Sequence, residues 1–186
     1  MTEKEKMIKG ELYLPFDEEL FNERQYAKEI IFKYNSLEPK AVEERNELLK
    51  ELFGSIEKGF FIEPPFRCDY GYNIHWGENS YANYNCTILD CAEVKIGKNV
   101  LIGPNVNIFT VGHPIDTELR VKGFEYAYPI EIGDNVWIGG GVTINPGVKI
   151  GANTTIGSGS VVTKDIRSGV IAVGNPCKVI KEIKNK

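Results

Sequence analysis

The chain has 186 residues, with 22 basic and 26 acidic side chains and a net charge of −4. That length suits one domain plus an appendage and lets the chain bury enough apolar surface to fold without disulfides. The slight acidic excess argues against a general nucleic-acid binder, which needs a basic surface.

The N-terminus, MTEKEKMIKGELY, carries charges with no apolar run behind them, unlike a signal peptide. No stretch reaches the apolar length of a transmembrane helix. The four cysteines, Cys68, Cys86, Cys91 and Cys177, form no CxxC pair. The expectation is a cytoplasmic protein with reduced thiols, no membrane contact and no metal. Residues 17–33 and 39–53 read as helices within an N-terminal module spanning 1–58. Asp17 suits the first N-cap, with Glu18 and Glu19 in the favourable first turn. In the second, Pro39 suits an early position, and Val42, Leu48, Leu49, Leu52 and Phe53 form an apolar stripe before Gly54. Such helices would cover the open end of a repeating β-structure, whose strands otherwise meet water.

That repeat dominates residues 59–173. Ile132, Ile138, Ile144, Ile150, Ile156 and Val162 recur every six positions, and glycine follows four of them. A second series, Ile130, Val136, Val142, Val148, Thr154 and Ser160, runs two positions ahead. The same pair of series occupies Val94–Ile108. A helix cannot place every sixth residue on one face. Short strands joined by tight turns can, with apolar residues inward and glycine where a Cβ would clash. Three six-residue faces close one triangular coil, and coils stack as parallel strands. Upstream, Trp76, Ala82 and Ile88 keep the spacing of six but slip by two before Ile96, so the first coil is expected to be irregular. Residues 109–129 break the repeat with a polar segment that reads as an extruded loop, the kind of feature that carries function on a rigid scaffold. Residues 174–186 form a short C-terminal extension.

Several motifs together carry a resemblance: GELY near residue 10, EPP at 63–65, YGYNIHWGEN at 70–79, YANYN at 81–85 and IGPNV at 102–106. GHP at 112–114, PIEIGDNVWIGGGVTINPGVKIG at 129–151, GSGSVVTKDI at 157–166 and GNPCKVIKEI at 174–183 complete it. From Gly10 to Lys181 the chain resembles the maltose and galactoside O-acetyltransferases of the hexapeptide-repeat acyltransferase superfamily. The resemblance implies a left-handed parallel β-helix and transfer of acetyl from acetyl-CoA to a hydroxyl of a maltose-, glucose- or galactoside-type acceptor. It also implies a homotrimer with sites between neighbouring subunits.

The resemblance makes His113, in the extruded loop, the general base that takes the proton as the hydroxyl attacks. Asn83 matches the asparagine that contacts the acceptor near the reacting hydroxyl, although an inward asparagine can also be structural. Tyr81 offers a flat surface for a sugar or belongs to the core. Glu125 either orients His113, binds a sugar hydroxyl or is a solvated loop carboxylate. Asp17 and Arg24 remain as acceptor contacts, since Leu14 and Pro15 follow GELY where an aspartate is common. Cys91 stands where a galactoside-type enzyme can carry an acceptor-binding aspartate, with Asp90 adjacent. For the donor, the correspondence points to Gly140, Ser158 and Thr163, largely through backbone groups, with the Gly140 amide placed for the oxyanion. Trp137 walls this groove or makes a trimer contact, and Lys164, Lys178 and Lys181 suit the CoA phosphates.

Three other readings use the same fold. A zinc carbonic anhydrase of the γ type needs three histidine ligands, and this chain has only His75 and His113. An ice-binding or scaffold β-helix has no use for the His113 loop. An antibiotic- or xenobiotic-modifying acetyltransferase is the nearest rival, against which the N-terminal module and GELY weigh.

Overall fold

The computed structural model describes residues 1–184. Three helices open the chain: α1 (Glu3–Ile8), α2 (Glu18–Ser36) and α3 (Val42–Leu52). Asp17 caps α2 by accepting the Glu19 N–H at 3.1 Å. α3 begins after Pro39, at Val42, with no side-chain cap. α1 was not expected. Its signal is a capping box in which Thr2 and Glu5 bond each other's backbone.

From Ser55 onward, short strands wind into stacked triangular coils. The first face holds Ser55–Ile56, Ile74–Trp76, Val94–Ile96, Ile130–Ile132 and Lys149–Ile150; the solenoid thus begins inside the segment expected for the helical module. The second holds Phe61–Ile62, Tyr81–Ala82, Leu101–Ile102, Trp137–Ile138, Thr155–Ile156 and Val170–Val173, closed by the antiparallel strand Lys178–Glu182. The third holds Phe66–Cys68, Cys86–Leu89, Asn107–Phe109, Thr143–Ile144 and Val161–Val162. Every strand pair between consecutive coils is parallel and in register, as Trp137 against Thr155 and Thr143 against Val161. Both inward series are buried, Ile130 to Ser160 as fully as Ile132 to Val162. Burying each of the larger apolar side chains contributes about 1.5–3 kcal/mol.

Two kinds of corner residue allow the stacking. Gly103 exists for close approach: a Cβ there would lie 2.6 Å from the Gly140 amide of the next coil. The left-handed turn position falls later, at Asn99, Asn105, Asn135 and Asn153, with glycine at 141, 147 and 159. Three of these asparagines form a ladder, Asn99 donating to Asn135 and Asn135 to Asn153, each at 3.0 Å.

The slip upstream has a simple geometry. Trp76 pairs with Ile96 and Ile88 with Ile108, 20 positions apart, whereas Ile132 pairs with Ile150, 18 apart. The two extra residues enter at the corner from third face to first, at 69–73 and again at 89–93. The extruded loop leaves from the same corner one coil later, so Ile96 pairs with Ile132, 36 positions on. These early coils are regular in pairing; they are larger at one corner.

The N-terminal helices close the wide end of the stack. Ile30, Ile31, Tyr34, Leu49, Leu52 and Phe53 join the interior, with the Phe53 and Phe66 rings 5.7 Å apart. Asn35 brackets Phe66, accepting its N–H and donating to its carbonyl, both at 2.9 Å. All four cysteines are free and buried. No helix of the described residues is long and apolar enough to cross a membrane.

Candidate active site

The extruded loop is ordered by its own chemistry. Val111–Gly112 pairs antiparallel with Tyr126–Ala127 to make a stem. A Cβ at Gly112 would lie 2.5 Å from the Tyr126 hydroxyl, so a larger residue there would displace that ring. A short helix, α4 (Thr117–Val121), is capped by Asp116, and Arg120 holds the carbonyls of Pro114 and Ile115. Buried Thr110 ties the stem to the corner below by accepting the Ala92 N–H and donating to the Leu89 carbonyl.

His113 stands at the top of this stem, half exposed. Its Nδ1 lies 3.3 Å from the Phe124 carbonyl. A carbonyl only accepts, so this contact uses a hydrogen on Nδ1, which in the neutral ring leaves the lone pair on Nε2. Nε2 lies 3.7 Å from Oε1 of Glu125. The second Glu125 oxygen accepts from the Tyr13 hydroxyl at 2.7 Å.

A cleft of about 390 Å³ opens beneath these groups. Its floor is the enlarged corner, with Asp69, Leu89 and Cys91; its walls are Phe109 and Val111 on one side and Pro15, Phe16 and Arg24 on the other. Arg24 donates to the Tyr70 hydroxyl at 2.6 Å and to the Pro15 carbonyl, so it is fixed in place. Cys91 donates to Asp69 at 3.5 Å. Burial pushes the Asp69 carboxyl above its ordinary value, while Cys91, Arg24 and Lys28 act to lower it.

The fold thus gathers His113, Glu125 and Arg24 into one cleft. Asp17 does not line it: its carboxylate is occupied by the α2 cap. Asn83 and Tyr81 lie elsewhere. Asn83 is not inward, as one of the two expectations had it, but sits at the corner between second and third faces. There its Oδ1 accepts the Tyr84 N–H at 2.8 Å. Tyr81 faces outward on the second face, stacked on Phe61 at 6.3 Å. Gly140 and Ser158 occupy the same corner as Asn83 in later coils, with Gly139 bonded to Ile156 and Gly141 to Pro104. Among the described residues the Gly140 N–H donates to no acceptor. Trp137 projects from the second face, 56 % exposed, between Leu101 and Thr155. Thr163 and Lys164 follow the last third-face strand, over which the segment of Cys177 folds back through a bond to Val161. Among the described residues no carboxylate pairs with Lys164, Lys178 or Lys181.

The two corners bound opposite edges of the third face. A face of five to six residues is roughly 15 Å wide at about 3.3 Å per residue. One chain therefore carries His113 at one edge and Asn83 with the Gly140 amide at the other.

Asp69 and Tyr13 escaped sequence reading. The available signal for Asp69 was the two-residue slip, which marks the corner where the cleft forms. A larger depression of about 1030 Å³ crosses the first face. It is a ladder of charges already paired, such as Lys149 with Glu131 at 2.9 Å. His75 there has Nδ1 2.9 Å from Ser55 and Nε2 3.4 Å from Glu93. Among the described residues no group of three or more His, Cys, Asp or Glu side chains is placed to hold a metal ion.

A coiled hexapeptide solenoid with a histidine loop at one corner and free amides at another defines an acyltransferase of the β-helix class. Comparisons with known proteins agree. Residues 6–57 match the model of the maltose acetyltransferase hexapeptide capping motif, and residues 129–164 match the bacterial transferase hexapeptide of six repeats. The chain is 47% identical to the galactoside O-acetyltransferase of Escherichia coli K12, over 98% of this chain and 90% of that one. It superposes on a maltose O-acetyltransferase from Clostridium difficile 630 with a TM-score of 0.98 at 54% identity, covering 100% of this chain and 99% of the other. A galactoside acetyltransferase solved in complex with coenzyme A superposes with a TM-score of 0.96 at 48% identity, covering 99% and 92%. The chain belongs to the maltose and galactoside O-acetyltransferase family and is an acetyltransferase.

Proposed function

We propose that the protein transfers acetyl from acetyl-CoA to a hydroxyl of a sugar, in a cytoplasmic homotrimer whose sites lie between copies, with His113 as general base. The observation that carries this is the contact of His113 Nδ1 with the Phe124 carbonyl, which turns Nε2 toward a cleft with Glu125 beside it. The coenzyme A complex of a relative with 48% identity supports the donor.

The chemistry follows from the groups present. Nε2 takes the proton as the acceptor oxygen attacks the acetyl carbonyl, and Glu125 stabilises the imidazolium. The Gly140 N–H donates to the carbonyl oxygen as it gains charge. The C–S bond breaks, and the imidazolium returns the proton to the CoA thiolate. Asn83 keeps its Nδ2 free to hold the acceptor oxygen. Ser158 and Thr163 line the path of the pantetheine, and Lys164, Lys178 and Lys181 meet the phosphates. Arg24, with Asp69 at the floor, contacts the sugar; Asp17 serves through its cap and Tyr81 through the neighbouring copy.

The trimer follows from the split site. A ring joins the second–third corner of one copy to the third–first corner of the next, a head-to-tail contact that closes on rotation. The outward stripe Phe61, Tyr81, Leu101 and Trp137 gives such a contact apolar surface.

Thiol release from acetyl-CoA across a panel of maltose, glucose, galactosides, aminoglycosides and amphenicols tests the acceptor class. O-acetylation of the sugars with no turnover of the antibiotics is expected. The reverse preference would make the protein an antibiotic-modifying enzyme.

A further inference from the structure

Glu125 is held by a residue 112 positions away in the chain. Tyr13 is fully buried, packed with Met7, Leu20, Tyr70 and Ala127. Its backbone exchanges two hydrogen bonds with Glu125, both at 3.0 Å, and its hydroxyl donates to Oε2 at 2.7 Å. Cys91 belongs to the same buried cluster. Three bonds from one residue therefore fix both the backbone and the side chain of the carboxylate beside His113.

We propose that Tyr13 is a positioning residue for acetyl transfer: it commits one Glu125 oxygen to the scaffold and leaves the other aimed at His113 and the acceptor. The inference rests on the general-base reading. A glutamate has three rotatable bonds and, untethered, samples many orientations. The imidazolium formed during proton transfer gains from a carboxylate oxygen only when that oxygen is already in place. Burial and the neighbouring Cys91 and Glu125 hold the Tyr13 phenol far above its ordinary range, so it stays a donor at any working pH. The N-terminal module thereby reaches into the chemistry besides closing the coil stack.

The test is a double-mutant cycle in the full-length protein, with Tyr13→Phe, Glu125→Gln and the pair. Tyr13→Phe keeps the ring packing and the backbone bridge. It should lower kcat by about 10-fold, the scale for loss of a partner that orients a reacting group, and leave the acetyl-CoA KM unchanged. In the Glu125→Gln background the same change should cost nothing further, because Tyr13 acts through the carboxylate. Equal losses in both backgrounds, or an unchanged kcat in Tyr13→Phe, would overturn the inference. Replacing Tyr13 with 4-aminophenylalanine restores a donor and should recover kcat; failure to recover counts against the proposal, and this variant decides the matter if Phe impairs folding. His113→Ala measured in parallel separates the two claims. Full transfer in His113→Ala defeats the general-base reading, whereas its loss beside an additive Tyr13 effect defeats the Tyr13 role alone.

Discussion

Asp90 provides a stability test that is independent of catalysis. It lies at the enlarged corner, fully buried, with Oδ1 accepting the N–H groups of Asp69 at 3.0 Å and Tyr70 at 2.9 Å. Its Oδ2 has no partner among the described residues. Burial pushes the carboxyl up from 3.8 to about 6, against the backbone bonds that lower it. A carboxyl whose folded value lies above its unfolded one binds its proton more tightly in the native state. Stability then falls as pH rises between those two values and is constant above the folded one. A gap of about two pH units corresponds to about 3 kcal/mol. Asp90→Asn keeps the Oδ1 acceptor and never ionises. Relative to wild type it should gain about 3 kcal/mol between pH 3 and pH 7, with most of the gain complete near pH 6. Urea denaturation across that range, at one fixed protein concentration, reads the difference. Any cost of the unpartnered amide is the same at every pH, so the slope is the readout. A difference independent of pH would show that Asp90 does not titrate there, and the burial argument would fail.

Changing Lys164, Lys178 and Lys181 together to Ala should raise the acetyl-CoA KM and flatten its salt dependence, while kcat at saturation holds. An unchanged donor KM would remove these lysines from the phosphate site. Subunit mixing tests the split site: His113→Ala and Asn83→Ala, each inactive alone, should regain activity when co-assembled. In an equal mixture about a quarter of the interfaces pair an intact His113 with an intact Asn83, which sets the expected recovery. No recovery in mixed trimers would place both residues in one subunit's site.

Much of the architecture is legible in the residues. Ile132 to Val162 and their partners two positions ahead point inward as alternation demands, because a strand sends i and i+2 to the same side. The turn asparagines were equally periodic, at 99, 105, 135 and 153, yet their left-handed role went unread beside the more conspicuous glycines. α1 hid because a six-residue helix shows little apolar periodicity. The site was legible in part. His113 lies in an insertion, where a break in a strict repeat exposes it. Asp69 and Tyr13 were not, since each depends on contacts between segments far apart in the chain. The bond of Tyr13 to Glu125 exists only because α1 and the extruded loop meet at the enlarged corner.

The most direct test of the account is the rate of acetyl transfer by His113→Ala, measured by thiol release with a sugar acceptor, beside acetyl-CoA binding by calorimetry. The loop lies outside the repeating core, so assembly, thermal stability and donor affinity should match wild type. The transfer rate should fall by roughly two to four orders of magnitude, the scale of a positioned general base. His75→Ala, whose ring is engaged by Ser55 and Glu93 on the first face, should transfer at close to the wild-type rate. A folded His113→Ala enzyme that transfers acetyl as fast as wild type would contradict the mechanism proposed for this site.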